Sequence, residues 1–303
     1  MTFSMPALGP GDIVHVVAPA GPVPGEAVKH GMSILAGWGL SPVAGRHLLA
    51  QEGYLAGSDE ERAADLAAAF AGDGTSAVAF ARGGFGTTRL LPLLDLPALA
   101  ARRRLLLGYS DATALGLALS RDHPQPHLYG PGIAELGAPE PDHHVASLQA
   151  GLLGQHPGGV QTIQGLQTIR PGHVRAVIMG GCLSLVAALA GTPFMPCLQG
   201  RILFLEDVGE EPYRLDRMLT QLSAAGVVEG ICALILGRFT GCGPRPGADS
   251  LEAPEVLESW ARDLDVPAVA GLAAGHGPGR MTIPLGVEAD LDAETGTVAF
   301  QHR

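Results

Sequence analysis

Three short stretches carry residue types that together could break an acyl bond. In RRRLLLGYSDATALGLAL an apolar strand ends at Gly108, Ser110 follows in the turn, and a helix begins at once. A sharp strand-to-helix turn projects a serine hydroxyl beside a helix N-terminus, whose unpaired backbone amides can receive a developing oxyanion. The fit to G-x-S-x-G is partial, because Ala112 stands at the second glycine position, and Ser110 or Asp111 could also simply cap the helix. In ILFLEDVGEEPYRLDRML an apolar strand delivers Glu206 and Asp207 at its C-terminal end, where active-site groups of α/β folds collect. An acid there can orient a histidine, or it can pair with Arg214 or Arg217 on the next helix. In LAAGHGPGRMTIPLG, His276 lies among Gly275, Gly277 and Gly279, which allow a backbone path close to another segment. Serine, acid and histidine are the parts of a nucleophilic triad, and each of the three follows a strand.

A fourth stretch, ARGGFGTTRLL, places Gly83, Gly84 and Gly86 between a strand and a helix. Their amides could form one arm of an oxyanion hole or cradle a phosphate, or the segment is an ordinary turn. It lacks the G-x-G-x-x-G spacing of a dinucleotide fingerprint. The pair His143-His144 is the competing candidate for a metal, but no carboxylate or cysteine stands at ligand spacing from it, so neither metal nor cofactor is expected.

These residues need a scaffold. The first half alternates strands (12–20, 76–81, 104–107) with helices (25–39, after the Ser58/Glu61 capping box, 89–94, 111–120), the pattern of a parallel sheet covered on both faces. A change to Pro, Gly, Gln and His marks the crossing between halves, with some helix around 145–153. The second half mixes strands at 174–179, 201–205 and 231–236 with helices at 212–225 and 254–264. Its short β-like segments from 268 onward suit an antiparallel or barrel-like edge. We divide the chain into an N-terminal α/β domain (1–154) with a Rossmann-like parallel sheet, a linker (155–172) and a C-terminal domain (173–303). A triad drawn from both halves would sit in the cleft between them, a common place for small-ligand pockets.

Composition narrows the partners. The net charge is −11 and the only lysine is Lys29, which argues against nucleic acid or an anionic membrane surface, since both draw on clustered basic groups. The run 176–195 has no charge but is broken by Gly180-Gly181, Ser184 and Gly191-Thr192-Pro193, so a buried strand and a short helix explain it better than a membrane span. Cys182, Cys197, Cys232 and Cys242 have neither zinc-site spacing nor the density of a secreted scaffold, and the start of the chain lacks a basic signal-peptide region; reduced thiols and a cytoplasmic location are expected.

Taken in order, GDIVHVVAPAGPV, ARGGFGTTRLLPLLD, GYSDATAL, YGPG, GGCLSLVAALAGTPFMP, FLEDVGEEPYRLDRMLTQL and GHGPGRMTIPLG resemble the serine LD-carboxypeptidase family, whose members trim murein peptides. The resemblance runs from about Gly11 to about Gly286. It implies a two-domain enzyme with an N-terminal α/β domain and a C-terminal domain with a β-barrel-like core, commonly a homodimer. It implies Ser110 as nucleophile, Glu206 and His276 as the rest of the triad, and the Gly84 and Asp111 amides as the oxyanion hole. The implied reaction is hydrolysis of the bond between an L-centre and a terminal D-amino acid, such as D-alanine of the murein tetrapeptide. A carboxypeptidase must also read a free carboxylate, for which an arginine fork is the natural device; Arg82, Arg214 and Arg217 are the candidates. Cys182 departs from the family pattern, which has Asn there. Two other readings stand beside this one: an immunity-type amidase acting on peptide–nucleotide antibiotics, and a catalytically silent small-ligand-binding protein.

Overall fold

A computed structural model of the chain describes residues 4–137 and 144–302. Five strands, β1 (Ile13–Val17), β2 (Ser41–Ala44), β3 (Thr75–Phe80), β4 (Leu105–Leu107) and β5 (His127–Tyr129), lie parallel in the order β5-β4-β3-β1-β2. Helices α1 (Gly25–Gly37), α2 (Asp59–Ala71), α3 (Thr87–Leu90), α4 (Leu96–Ala101), α5 (Ala112–Leu119), α6 (Ile133–Leu136) and α7 (His144–Leu152) connect and cover them. Alternation along β3 shows why its stretch 77–80 is apolar on both faces. Ala77 and Ala79 enter one core with Val28 and Leu35 of α1, while Val78 and Phe80 enter another with Leu66 and Phe70 of α2 and Leu115 of α5. The capping box forms as expected: Ser58 Oγ accepts from the Glu61 amide at 3.2 Å, and the Ser58 amide donates to Glu61 Oε2 at 3.0 Å.

The second half supplies β6 (Val160–Ile163), β7 (Gln167–Arg170), β8 (His173–Cys182), α8 (Leu183–Leu189), β9 (Ile202–Val208), α9 (Pro212–Ala224), β10 (Ala233–Thr240), α10 (Ala253–Asp263), β11 (Ala268–Ala270), β12 (Ile283–Leu285), β13 (Glu288–Asp292) and β14 (Thr297–Gln301). Its eight-stranded sheet runs β6-β14-β13-β8-β9-β10-β11-β7, with β8 to β11 parallel and the flanking strands antiparallel. The sheet curls on itself. Thr168 on edge strand β7 donates to the Ala293 carbonyl, next to β13 near the other end, at 2.6 Å, and Ile163, Phe204, Ile235, Leu291 and Phe300 share one core.

The stretch 155–172, expected as a linker, carries β6 and β7 and is part of this sheet. Strand β12 leaves the second half and pairs antiparallel with β5, Ile283 opposite Tyr129, so the first sheet has a sixth strand. The uncharged run 176–195 becomes the end of β8 followed by α8, and among the described residues no helix is long and apolar enough to cross a membrane. Helix α4 lies between the expected helix at 89–94 and strand at 104–107; Pro97 at its second helical position forfeits no bond, and Asp95 caps the Ala98 amide at 3.1 Å.

Candidate active site

The turn after β4 is the first component. Gly108 has φ +154°, and a Cβ there would lie 3.0 Å from both Phe80 Cβ and Ala112 Cβ, so the strand can turn this tightly only with glycine. Ser110 has φ +59°, left-handed backbone that costs a residue with a side chain about 1–2 kcal/mol. Its carbonyl accepts from the Thr113 amide at 2.9 Å as α5 begins. This is strand–elbow–helix geometry with the serine at the apex.

The glycine loop after β3 passes directly over that serine. A Cβ on Gly83 would stand 3.2 Å from Ser110 Oγ. The side chain of Asp111 is fully buried and its Oδ2 accepts from the Thr87 amide at 2.8 Å, which ties the loop's far end to the elbow. Burial dominates at this carboxyl and raises its pKa, against the hydrogen bonds from Thr87 that lower it. Among the described residues, neither the Gly84 nor the Asp111 backbone amide donates a hydrogen bond. Both are therefore available to an oxyanion.

The second half brings the acid and the histidine. Glu206 lies on β9, opposite Cys182 of β8, with its side chain fully buried. Its Oε2 accepts from His276 Nδ1 at 2.8 Å and from the His276 amide at 2.9 Å. A carboxylate can only accept, so Nδ1 is the donor in this bond. Gly275, with φ +99°, permits this approach: a Cβ there would be 2.2 Å from Glu206 Oε2. Thr240 Oγ1 donates to the His276 carbonyl at 2.8 Å and fixes the loop from the other side. The other Glu206 oxygen, Oε1, accepts from Tyr129 Oη at 2.6 Å. Tyr129 Oη in turn accepts from the Ser110 amide at 3.2 Å.

Ser110, His276, Gly83, Gly84, Arg82, Tyr109 and Glu135 line one cleft of about 570 Å³. A larger hollow of about 700 Å³ lies between α1 and β2, but it contains none of these groups, and the chemistry rather than the volume identifies the site. Of the three candidate carboxylate readers, Arg82 alone lines the cleft, with Nη1 donating to the Pro22 carbonyl at 3.1 Å. Arg214 lies within 4.0 Å of Glu211 and 3.8 Å of Glu210, Arg217 packs over the Tyr213 ring, and neither lines the cleft.

Sequence reasoning missed four residues here. The Tyr109 ring lies 4.8 Å from the His276 ring, with the Arg280 guanidinium over Tyr109 at 4.8 Å. Arg280 pairs with Glu135, and the Tyr109 hydroxyl donates to the same Glu135 oxygen at 3.3 Å. Burial raises the Tyr109 phenol pKa, which keeps it a donor. Tyr109, Tyr129 and Arg280 all stand inside quoted motifs; their partners come from distant segments, so no local spacing exposes them.

Cys182 poses less difficulty than its residue type suggested. Its amide donates to Thr113 Oγ1 at 3.0 Å, so the anchoring is by backbone, and its Sγ reaches Asp207 Oδ1 at 3.5 Å. Burial pushes this thiol's pKa up and keeps it protonated. Among the described residues no three His, Cys, Asp or Glu side chains converge to hold a metal ion, and the rejected candidate His143 lies outside the described residues, as does the side chain of His144.

Comparison with known proteins identifies the family. The chain matches the LD-carboxypeptidase N-terminal domain over residues 14–130 and the C-terminal domain over residues 175–291. A protein of Streptomyces coelicolor with a carboxypeptidase name is 42% identical over 298 residues, covering 97% of this chain and 94% of that protein. The crystal structure of muramoyltetrapeptide carboxypeptidase from Oxalobacter formigenes superposes with a TM-score of 0.83 at 30% identity, covering 94% of this chain and 97% of that one. The microcin C7 self-immunity protein, at 22% identity and a TM-score of 0.86 over 100% of this chain and 99% of that one, shares the fold. Matches to both family domains, and to a relative 42% identical along nearly its whole length, make this chain a member of the LD-carboxypeptidase family.

Proposed function

We propose that this peptidase is a serine LD-carboxypeptidase acting through Ser110, His276 and Glu206 on the bond between an L-centre and a terminal D-amino acid, as in the murein tetrapeptide. The observation that carries the reading is that Ser110, at the apex of a strained elbow, lines the same cleft as a histidine whose Nδ1 is held by a buried glutamate. The name of the Oxalobacter relative supports the substrate class.

In this mechanism His276 Nε2 takes the Ser110 proton as Oγ attacks the carbonyl of the L-centre. The tetrahedral oxyanion is received by the Gly84 and Asp111 amides, which are preorganised by the elbow and the glycine loop. Glu206 holds the imidazole in the Nδ1–H tautomer and stabilises the imidazolium. That imidazolium gives its proton to the leaving amine, and the D-amino acid departs. Water, deprotonated by His276, then cleaves the serine ester and restores the enzyme. Arg82 at the cleft wall is the reader of the terminal carboxylate.

The reading takes the enzyme as cytoplasmic, where four free thiols would persist, and as a homodimer, which light scattering on the purified protein checks. The test of function is incubation with murein tetrapeptide, with its C-terminally amidated form and with an aminoacyl sulfamoyl adenosine, products being followed by mass spectrometry. Release of D-alanine from the free acid, and little D-alaninamide from the amidated form, is expected. Cleavage of the sulfamoyl adenosine alone would overturn the reading in favour of an immunity-type amidase.

A further inference from the structure

The two halves of the proposed triad come from different sheets, so something must hold them in register. Ser110 follows β4 of the first sheet, whereas Glu206 belongs to β9 of the second and His276 to the loop after β11. Tyr129, the last residue of β5, reaches across. Its Oη donates to Glu206 Oε1 at 2.6 Å, accepts from the Ser110 amide at 3.2 Å and lies 3.4 Å from Thr113 Oγ1. A continuous hydrogen-bonded path therefore runs from the Ser110 backbone through Tyr129 and Glu206 to His276 Nδ1, and His276 lines the cleft that holds Ser110.

We propose that Tyr129 is a positioning residue for hydrolysis: its hydroxyl locks the acid of one sheet to the nucleophile's backbone on the other and fixes the orientation in which Glu206 grips His276. Three features support the role. The side chain is 1% exposed, so water cannot replace the hydroxyl cheaply. Its ring is clamped edge-on against Phe204 (5.6 Å) and against Tyr109 (6.2 Å), so the oxygen is directed by packing rather than by the hydrogen bonds alone. Finally, Glu206 Oε2 is already engaged by His276, so Tyr129 determines how the carboxylate can rotate. The phenol is held protonated by burial and by the adjacent Glu206 charge, as a donor must be.

The inference rests on the triad reading, and the test separates the two. Labelling of Ser110 by a fluorophosphonate needs the nucleophile and its base but no particular substrate. Tyr129→Phe keeps the ring and removes only the oxygen. In an otherwise wild-type protein it is expected to slow labelling roughly 10- to 100-fold, the value of a lost hydrogen bond to a charged group, and to lower kcat while leaving KM within about twofold. In a Glu206→Gln background the same change should slow labelling less than about threefold, because a residue that acts through Glu206 has little left to act on. A merely structural tyrosine would give the same factor in both backgrounds; that result, or an unchanged rate in the wild-type background, overturns the proposal. Should Tyr129→Phe fail to fold, 3-fluorotyrosine at position 129 keeps ring and hydroxyl but pulls harder on Glu206. Labelling is then expected to fall at least twofold, and an unchanged rate overturns the proposal. Absence of Ser110 labelling in the wild type overturns the triad reading and this inference together.

Discussion

Gly275→Ala probes the most demanding contact in the site. Gly275 has φ +99°, and its added Cβ would lie 2.2 Å from Glu206 Oε2, 2.4 Å from Glu206 Cδ and 2.4 Å from Glu206 Cγ. A carbon and an oxygen settle no closer than about 3.3 Å, so the glutamate or the histidine loop must yield by about 1 Å. Glu206 is buried and held by Tyr129 and by two donors of His276, so displacement breaks the bond that orients the imidazole. Misplacement of a reacting group by about 1 Å can cost about 100-fold in rate, and the left-handed backbone adds about 1–2 kcal/mol against folding. We expect Gly275→Ala to lose about 100-fold in both tetrapeptide turnover and fluorophosphonate labelling, with Tm lower by a few degrees. Gly271→Ala is the control, since Gly271 has φ +88° with nothing within 4 Å of the added Cβ; it should share the loss in Tm and keep the rate. If Gly275→Ala labels within threefold of wild type, Glu206 does not orient His276 as described.

Two further predictions follow from burial and charge. Arg82→Gln should raise KM for a free-acid tetrapeptide about tenfold and leave an amidated one unchanged, whereas Arg214→Ala and Arg217→Ala should stay within about twofold; steady-state kinetics on both substrates decide it. His127, fully buried with Nε2 donating to the Gly108 carbonyl at 2.9 Å, has its pKa pushed down by burial from the ordinary 6.5 to about 4. The folded protein thus refuses a proton that the unfolded chain takes, so this contribution is intact above pH 6.5 and falls away between pH 6.5 and pH 4, with about 2 kcal/mol lost by pH 5. Urea unfolding at pH 7 and pH 5 should show that loss, and His127→Gln should reduce it.

The elements that carry the site were legible because they are local. An apolar run closed by glycine, a capping box and a serine at a strand–helix junction each declare themselves within a dozen residues, and β4, α2, α5 and β9 formed close to their expected bounds. What escaped depends on distant partners. Short strands such as β5 and β12 are held by partners elsewhere in the chain, β5 between β4 and β12 with Ile283 on Tyr129, so neither has a strong pattern of its own. Tyr129 was visible as a letter in YGPG, but its hydroxyl acquires a role only when β9 brings Glu206 to 2.6 Å. Arg214 and Arg217 drew notice by following Glu206 in sequence, yet α9 turns them toward Glu210, Glu211 and Tyr213. Arg280 lies further along, and the return of the chain to the first sheet stacks it on Tyr109.

The most direct test of the central claim compares wild type with Ser110→Ala on the murein tetrapeptide, with D-alanine and tripeptide quantified by mass spectrometry at matched folded concentration. Release by the wild type, and a loss of at least about 1,000-fold in the variant, is what a Ser110 nucleophile served by His276 predicts. Near wild-type release from Ser110→Ala would contradict it.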